Sequence, residues 1–333
     1  MGCVKPLEAY RGKHGVVTFN RHLSVSRVAF KLPCGRCIGC RLERARQWGL
    51  RCMHEAKLWP QNCFITLTYS DEFLPPYGSL SVRDIQLFMK RLRKGKKASA
   101  SNPIRFFLGG EYGERNLRPH YHAVLFNCGF ADRRLLSNAG GVNLYTSDEL
   151  SGYWSGVGEA SFGCAGVSDG GGGDNPPSRA ALGHASIGEV NYKTAIYCAK
   201  CALKRVNGEM AESHYGVMDQ DGCLHMRVPE FALMSRRPGI GHGYYEKYGS
   251  EYLEHDNVIV DGREAPGCRF YDGRSDTRAK HDDDRLLCFC RYCSNKRKRK
   301  LNAAKARSDN TPERLDVKER IMEANASRKE RRL

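Results

Sequence analysis

The sequence lacks any run of roughly 18 consecutive apolar residues, the length that a membrane-spanning helix needs, so a helical membrane protein is not expected. Met1 leads into no apolar run, and a secretory signal is therefore not predicted. Acidic residues are also in deficit, since 37 Asp and Glu stand against 54 Lys and Arg and leave a formal net charge of +17. This excess predicts a polyanionic partner, most simply nucleic acid.

Cysteine, in contrast, is abundant. The 15 cysteines are odd in number and follow no signal peptide, which favours reduced thiols in a cytoplasm over a disulfide framework. One cluster with the spacing of metal ligands consists of Cys34, Cys37 and Cys40, and a second lies at 288–293. Structural zinc normally takes four ligands, so a zinc ion at the first cluster would need a further ligand from Cys3, Cys52 or a histidine. Free or buried thiols are the alternative interpretation.

Hydrophobic patterning predicts an α+β fold, with a central antiparallel sheet and helices on one face. Alternating β-branched and aromatic residues predict strands at 63–69, 104–112, 120–127 and 185–190. Helical spacing predicts helices at 41–58, 81–93, 148–154 and 191–206. Ser81 and Ser147 are the expected N-caps of the second and third of these helices. The Gly-, Tyr- and Arg-rich segment 235–273 is expected to be irregular.

Three regions follow from this pattern. Residues 1–60 form a Cys-rich arm and a basic helix, residues 61–260 form the central α+β domain, and residues 261–333 form a basic, Cys-containing C-terminal region. The Gly-, Ser- and Pro-rich stretch 155–184 is predicted to be a mobile insertion in the central domain. The basic tail, partly helical or disordered, would add affinity for nucleic acid that falls with salt.

The predicted strand 120–127 carries His120 and His122. Residues i and i+2 of a strand share a face and lie roughly 6.6–6.8 Å apart, so both imidazoles can reach one metal ion. A hairpin between 104–112 and 119–127 would bring Glu111 beside them. Two histidines and one carboxylate leave coordination positions for water and a phosphate oxygen. The alternative is a pair of histidines that are solvent-exposed or hydrogen-bonded within the protein.

The predicted helix 191–206 places Tyr197, Lys200 and Cys201 on one face, and Lys204 extends that face by a turn. A phenol with a pKa of about 10 is ionised in only about one molecule in a thousand at neutral pH. Attack on phosphorus would need a cation that polarises the phosphate and an ammonium that stabilises the developing charge. An ordinary amphipathic helix, with lysines that reach solvent, is the alternative.

The sequence His120-Tyr-His122 after a Gly-Glu strand, with Tyr197-x-x-Lys200 on a later helix, resembles the HUH endonuclease superfamily. Within it, the chain resembles the replication initiation proteins of gokushoviruses, small single-stranded-DNA phages of the microvirus group. The stretches that carry this resemblance are 33–41, 47–56, 64–69, 88–93, 110–113, 118–126 and 234–241.

The resemblance implies that His120, His122 and Glu111 bind Mg²⁺ or Mn²⁺. Tyr197 would be the nucleophile, forming a 5′-phosphotyrosine link and freeing a 3′ hydroxyl that primes rolling-circle synthesis. Lys200 would stabilise the developing charge. Many microvirus initiators carry a second tyrosine four residues after the first, and Cys201 occupies that position here. A single-tyrosine enzyme is therefore expected.

The expected partners are single-stranded origin DNA and the host replication machinery, in the cytoplasm of a bacterial host, with no small-molecule substrate and no membrane. The expected DNA contacts are Arg118, Lys204, Arg236 and Arg237. Two other functions stay open. In one, activated water hydrolyses DNA without a covalent intermediate. In the other, the chain is a non-enzymatic single-stranded-DNA-binding or packaging protein with structural zinc, and neither the His pair nor Tyr197 has a chemical role.

Overall fold

A computed structural model describes residues 2–114, 116–139, 141–156, 180–201, 203–278, 290–308 and 310–330. The chain forms two compact units, which we treat separately. The sheet unit is Gly49–Glu246, and the terminal unit is Met1–Trp48 together with Lys247–Leu333. The predicted N-terminal arm and C-terminal region both contribute to the terminal unit.

The strands are β1 (Leu7–Gly12), β2 (Val17–Thr18), β3 (Ser24–Leu32), β4 (Asn62–Thr68), β5 (Arg105–Tyr112), β6 (Pro119–Phe126), β7 (Arg134–Ala139), β8 (Val142–Thr146), β9 (Ser155–Gly156), β10 (Ala180–Ala181), β11 (Ala185–Gly188), β12 (Gly216–Met218), β13 (Leu224–Met226), β14 (Phe231–Met234), β15 (Asn257–Val260) and β16 (Arg263–Pro266). The helices are α1 (Ile38–Ala56), α2 (Val82–Gly95), α3 (Asp148–Tyr153), α4 (Tyr192–Cys201), α5 (Met210–Tyr215), α6 (His242–His255), α7 (Arg269–Arg278), α8 (Arg291–Ser308) and α9 (Pro312–Glu330).

The sheet unit is built on a seven-stranded antiparallel sheet in the order β14-β5-β6-β4-β11-β8-β7. The predicted α+β class is therefore confirmed. The expected hairpin of β5 and β6 is present, and its register pairs Glu111 with His120 and Gly109 with His122. On its other side, β6 pairs with β4, so that Thr66 lies opposite His122. Cross-strand partners share a face, and these side chains consequently project from the same side of the sheet.

Helices cover both faces of this sheet. Phe88 of α2 is buried in the same apolar cluster as Ala123 of β6. On the opposite face, the thiol of Cys198 in α4 donates to the carbonyl oxygen of His122. The expectation of helices on one face alone is corrected in this respect. Strands β5 and β6 are buried at almost every position instead of at alternate ones, so each face needs its own cover.

The N-terminus of α2 is hydrogen-bonded to β6 on the face of the sheet opposite the histidines. Ser81 caps the helix as predicted, its hydroxyl accepting from the amide of Asp84 at 3.2 Å. The Ser81 amide in turn donates to the hydroxyl of Tyr121 at 2.7 Å. Tyr121 points away from the neighbouring histidines and is fully buried, so this network holds the central strand in place from the opposite face.

The terminal unit contains the three-stranded antiparallel sheet β2-β1-β3. The prediction of an irregular segment 235–273 is wrong, because this segment holds all of α6, the hairpin β15–β16 and part of α7. Its order comes from tertiary packing that local composition does not reveal. Tyr252 and Tyr271 are both buried and pack edge to face, with ring centroids 5.9 Å apart.

The predicted insertion 155–184 falls mainly on residues 157–179, which lie outside the described residues. The strands on either side of this gap, β9 and β10, pair with each other. Within the described ranges, no helix combines the length and the apolar character that crossing a membrane requires.

Candidate active site and metal centre

Three potential metal ligands converge on the face of the sheet that α4 covers. One ligand atom from each of Glu111, His120 and His122 lies within 4.8 Å of the other two. Oε1 of Glu111 is 3.1 Å from Nε2 of His120 and 3.4 Å from Nε2 of His122. The register of β5 and β6 produces this arrangement, since it places the carboxylate directly opposite His120 and diagonal to His122.

Both imidazoles are oriented by contacts at the opposite ring nitrogen. Nδ1 of His120 lies 3.1 Å from the carbonyl oxygen of Arg118, and Nδ1 of His122 lies 3.0 Å from the hydroxyl of Thr66. Metal-binding histidines are characteristically held in this way, because a hydrogen bond at one nitrogen fixes the ring and exposes the lone pair of the other. Each Nε2 is thereby directed towards Glu111. The sequence gives no local signal for the role of Thr66.

The donor set fits a divalent cation. A carbonyl oxygen only accepts hydrogen bonds, so Nδ1 of His120 donates to Arg118, and Nε2 of the same ring faces Oε1 of Glu111 at 3.1 Å. At this distance either a proton or a metal ion must lie between Nε2 and the carboxylate oxygen. The other carboxylate oxygen, Oε2, is buried, and the Lys204 ammonium lies 3.1 Å from it. Two imidazoles and one carboxylate suit Mn²⁺, and the carboxylate and water suit Mg²⁺.

Burial and charge set the protonation states of these groups. Burial lowers the pKa of His122, which keeps its imidazole neutral and able to bind a metal. Burial alone would raise the pKa of Glu111, but hydrogen bonds from His120 and His122 hold it well below its usual range. The site therefore presents an ionised carboxylate beside a neutral ring, the forms that coordinate cations.

Tyr197 of α4 reaches this cluster. Its hydroxyl lies 3.4 Å from Oε1 of Glu111 and 3.5 Å from Nε2 of His122. The phenol packs edge to face against the His122 ring, with centroids 4.8 Å apart, and Phe64 contacts both rings. Burial, followed by the negative charge of Glu111, raises the pKa of Tyr197, so the hydroxyl is protonated at neutral pH.

The close approach of α4 to β5 depends on Gly109. A Cβ atom at this position would lie 2.8 Å from the carbonyl oxygen of Cys198 and 2.8 Å from Cβ of Cys201. Cys201 is buried against this strand, and its thiol donates to the carbonyl oxygen of Tyr197 at 3.4 Å. Cys201 therefore packs beneath the site, while the Tyr197 hydroxyl faces the histidines.

The two lysines of the predicted motif have different surroundings. Nζ of Lys204 lies 3.1 Å from Oε2 of Glu111 and 3.3 Å from Oε1 of Glu114. Burial alone would lower its pKa, but the charge of Glu111 raises it, and the ammonium stays charged. Lys200 is half-buried and forms no ion pair within the described part of the chain. The structure thus brings Lys204, predicted as a DNA contact, to the carboxylate instead of Lys200.

The arginines predicted to contact DNA lie in two places. The guanidinium of Arg118 donates to the carbonyl oxygen of Tyr69 and pairs with Asp71 at 2.6 Å, while its own carbonyl orients His120. Arg236 and Arg237 are exposed in the loop that follows β14. Arg118 therefore lies beside the histidine pair. The other two arginines expose their side chains to solvent in the loop.

The N-terminal cysteine cluster lies in the terminal unit. The sulfur atoms of Cys34, Cys37 and Cys40 are joined by that of Cys3, and all four lie within 4.8 Å of one another. Of the fourth ligands considered from the sequence, Cys3 is the one that the fold brings to the cluster, and Cys52 is buried within the sheet unit. In the second cluster, Cys288 lies outside the described residues.

Comparison with known proteins connects the site to a group of phage proteins. A family described as "Replication-associated protein ORF2/G2P" matches residues 62–168. The matched segment begins at β4 and includes Glu111, His120 and His122, whereas Tyr197 lies beyond it. This chain is similar to phage replication-associated proteins. The resemblance predicted from the motifs is thereby confirmed.

Two relatives match most of the chain, and a third matches a shorter part. Replication-associated protein VP4 of Bdellovibrio phage phiMH2K is 28% identical over 278 residues, covering 81% of this chain and 76% of the relative. Replication-associated protein ORF2 of Spiroplasma virus 4 is 29% identical over 278 residues, covering 78% and 74%. Replication-associated protein ORF4 of Chlamydia phage 1 is 31% identical over 102 residues, covering 31% and 25%. No solved structure matches the chain.

Proposed function

We propose that this chain initiates phage DNA replication by nicking single-stranded DNA, with Tyr197 as the nucleophile. The names of the relatives support the replication role, since both long matches are described as replication-associated proteins. One observation supports the chemistry: the Tyr197 hydroxyl lies 3.4 Å from Oε1 of Glu111 and 3.5 Å from Nε2 of His122. A single phosphodiester can therefore contact the phenol and the metal-ligand cluster together.

In the proposed step, the Tyr197 oxygen attacks the phosphorus of one phosphodiester. The new bond joins this oxygen to phosphorus, the bond from phosphorus to the 3′ oxygen breaks, and the phenolic proton ends on the departing 3′ oxygen. The products are a 5′-phosphotyrosine link and a free 3′ hydroxyl, which a host polymerase can extend in rolling-circle synthesis. One phosphodiester replaces another, so the step consumes no nucleotide, and attack by a 3′ hydroxyl in the reverse direction reseals the strand.

The residues of the site have different roles in the proposed step. Glu111, His120 and His122 would hold Mg²⁺ or Mn²⁺, which when bound withdraws charge from the phosphate oxygens. Thr66 and the Arg118 carbonyl keep the imidazoles directed at that position. The ammonium of Lys204 lies beside Glu111 and can stabilise negative charge that develops on phosphorus. Together these groups supply the assistance that a protonated phenol requires.

Covalent labelling tests the proposal. Single-stranded oligonucleotides that tile the genome encoding this chain, labelled at the 3′ end, are incubated with the full-length protein and Mn²⁺ and separated on denaturing gels. The proposal expects label on the protein, because the tyrosine retains the downstream fragment. Tyr197→Phe should abolish the adduct, while Tyr192→Phe, a matched loss of a phenol from the same helix, should retain it. A 5′-labelled strand should yield a shorter product that a polymerase extends.

Each rival function gives a different result. Strand cleavage that persists in Tyr197→Phe without any adduct would indicate hydrolysis by activated water. Binding without cleavage in Mg²⁺, Mn²⁺ and Zn²⁺ would indicate a single-stranded-DNA-binding or packaging protein. Retention of the adduct in Tyr197→Phe would assign the nucleophile to another residue.

A further inference from the structure

The four sulfur atoms of the N-terminal cysteine cluster meet at one point in the terminal unit. Cys3 precedes β1, while Cys34, Cys37 and Cys40 lie between β3 and the first turn of α1. All four sulfurs lie within 4.8 Å of one another. We propose that these residues bind one structural Zn²⁺ ion, with Cys3 as the fourth ligand.

The sulfur spacing matches shared ligation. Sγ of Cys3 is 3.7 Å from Sγ of Cys37. Around a tetrahedral zinc with Zn–S bonds of about 2.3 Å, two sulfurs are separated by about 3.8 Å. A disulfide would instead bring them to about 2.05 Å. The observed separation therefore fits two sulfurs on a common ion and excludes a disulfide between them.

Backbone amides point at the sulfurs. The amide of Cys34 donates to Sγ of Cys3 at 3.2 Å, and the amide of Cys37 donates to Sγ of Cys34 at 3.3 Å. Gly35 has a φ of +77°, the conformation that turns the chain between these cysteines. Hydrogen bonds of this kind stabilise thiolates and fix their direction, which is what a preformed ligand set requires.

The chemistry of the ligands selects the ion and its role. Four thiolates in a tetrahedral arrangement favour zinc or iron over Mg²⁺ and Mn²⁺. A cluster of several iron atoms would hold its thiolates around a larger core, whereas sulfurs within 4.8 Å of one another surround a single ion. Four protein ligands leave no position for water or substrate, so the ion would serve the fold and not the reaction.

The ion would fasten the N-terminus to two helices of the terminal unit. A Cβ at Gly39 would lie 2.2 Å from the carbonyl oxygen of Gly2, so the glycine permits the N-terminal residues to lie against α1. The same N-terminal segment reaches α9, where Lys5 pairs with Glu319 at 2.9 Å. Loss of the ion should free residues 2–5 from both helices.

The metal content of the full-length protein tests this inference. The protein is purified without added metal, dialysed against a chelator of moderate strength and analysed by elemental mass spectrometry. We expect about one zinc per chain. Cys3→Ser and Cys37→Ser should each reduce the zinc content at least severalfold, whereas Cys223→Ser, which removes an exposed cysteine of the sheet unit, should leave it unchanged.

Cobalt substitution gives an answer that does not depend on the folding of the variants. Co²⁺ exchanged into the wild-type chain should give the intense visible absorption of a tetrahedral thiolate site, and Zn²⁺ should displace it. Absence of zinc, iron in its place, or a disulfide that involves Cys3 in protein purified under reducing conditions would each overturn the inference. Cys3→Ser with full zinc content and an unchanged cobalt spectrum would overturn the assignment of the fourth ligand.

Discussion

The hydroxyl of Thr66 lies 3.0 Å from Nδ1 of His122, across the ladder that joins β4 to β6. The two residues are 56 positions apart in sequence, and the strand register places them opposite each other. The contact occupies one ring nitrogen and leaves the other directed at Glu111 and Tyr197. The orientation of a proposed metal ligand thus depends on a neutral side chain of a different strand.

Removal of this hydroxyl should weaken metal binding. Thr66→Val keeps the shape of the side chain but frees Nδ1 of His122, and loss of such a supporting contact typically lowers metal affinity about 10- to 100-fold. We expect the Mn²⁺ concentration for half-maximal nicking to rise by this factor, with the rate recovering at saturating Mn²⁺. Titration of the nicking rate with Mn²⁺ measures both quantities.

Thr68→Val is the matched control for this substitution. Thr68 occupies the same face of β4, but its hydroxyl donates to the carbonyl oxygen of His184 and not to an imidazole. Its half-maximal Mn²⁺ concentration should stay within about twofold of the wild type. An equal shift in both variants would show that the substitutions lower metal affinity by destabilising β4 and not by changing the orientation of His122.

A side chain at Gly109 should displace α4. Gly109→Ala places a methyl group 2.8 Å from the Cys198 carbonyl oxygen, and backbone atoms cannot yield without movement of the helix. Overpacking of this kind costs typically about 1–3 kcal/mol. We expect that loss in chemical denaturation and a decrease in nicking larger than the decrease in Mn²⁺ affinity, because the nucleophile moves while the three ligands stay on the sheet.

Gly152→Ala provides the comparison for stability. Gly152 lies in α3, and an added Cβ would meet nothing within 4 Å. Alanine is favoured over glycine in a helix by about 1 kcal/mol, so this variant should be as stable as the wild type or slightly more stable. A Gly109→Ala protein with unchanged stability and full nicking activity would contradict the close-approach argument.

Much of the site could be predicted from the sequence because its signals are local. The spacing of His120 and His122 fixes a common face within one strand, and the hairpin that brings Glu111 to them connects neighbouring strands. Ser81 and Ser147 are N-caps, as their positions before the helical patterns predict. These features each involve residues that are close along the chain.

The features that sequence analysis missed depend on contacts between distant segments. The role of Thr66 follows from the β4–β6 register, and the requirement for Gly109 follows from the position of α4. Lys204 follows the last turn of α4 and still reaches Glu111, which helical spacing alone does not reveal. Both faces of β5 and β6 are buried because strands on either side and helices above and below enclose them.

Replacement of Lys204 by methionine should strengthen metal binding but slow nicking. Its ammonium lies 3.1 Å from Oε2 of Glu111 and repels a divalent cation bound by the same carboxylate. Lys204→Met should therefore bind Mn²⁺ more tightly, by about tenfold, since a nearby positive charge is removed. The single-turnover nicking rate should nevertheless fall by roughly 10- to 100-fold, because a cation that stabilises the developing charge is lost.

Lys193→Met is the control for this substitution, since Lys193 is an exposed lysine of the same helix. Its Mn²⁺ affinity and its nicking rate should both match the wild type within about twofold. Weaker Mn²⁺ binding in Lys204→Met, or a nicking rate equal to that of the wild type, would argue against the placement of this ammonium in the reaction. Comparison with Lys200→Met then tests which lysine serves the phosphate.

The buried ion pair of Glu55 and Arg105 should be the most sensitive point of the sheet unit to a charge change. Glu55 also accepts from the amide of Gly241 at 2.7 Å, and Arg105 donates to the carbonyl oxygen of Pro238 at 2.8 Å, so the pair anchors the loop that carries Arg236 and Arg237. Glu55→Ala leaves a buried guanidinium without its carboxylate and should cost about 3–5 kcal/mol of unfolding free energy.

Asp148→Asn, which breaks the exposed pair with Arg134, should cost less than about 1 kcal/mol. Urea denaturation followed by circular dichroism compares the two variants. If they lose similar stability, the Glu55–Arg105 pair is not the anchor of this loop.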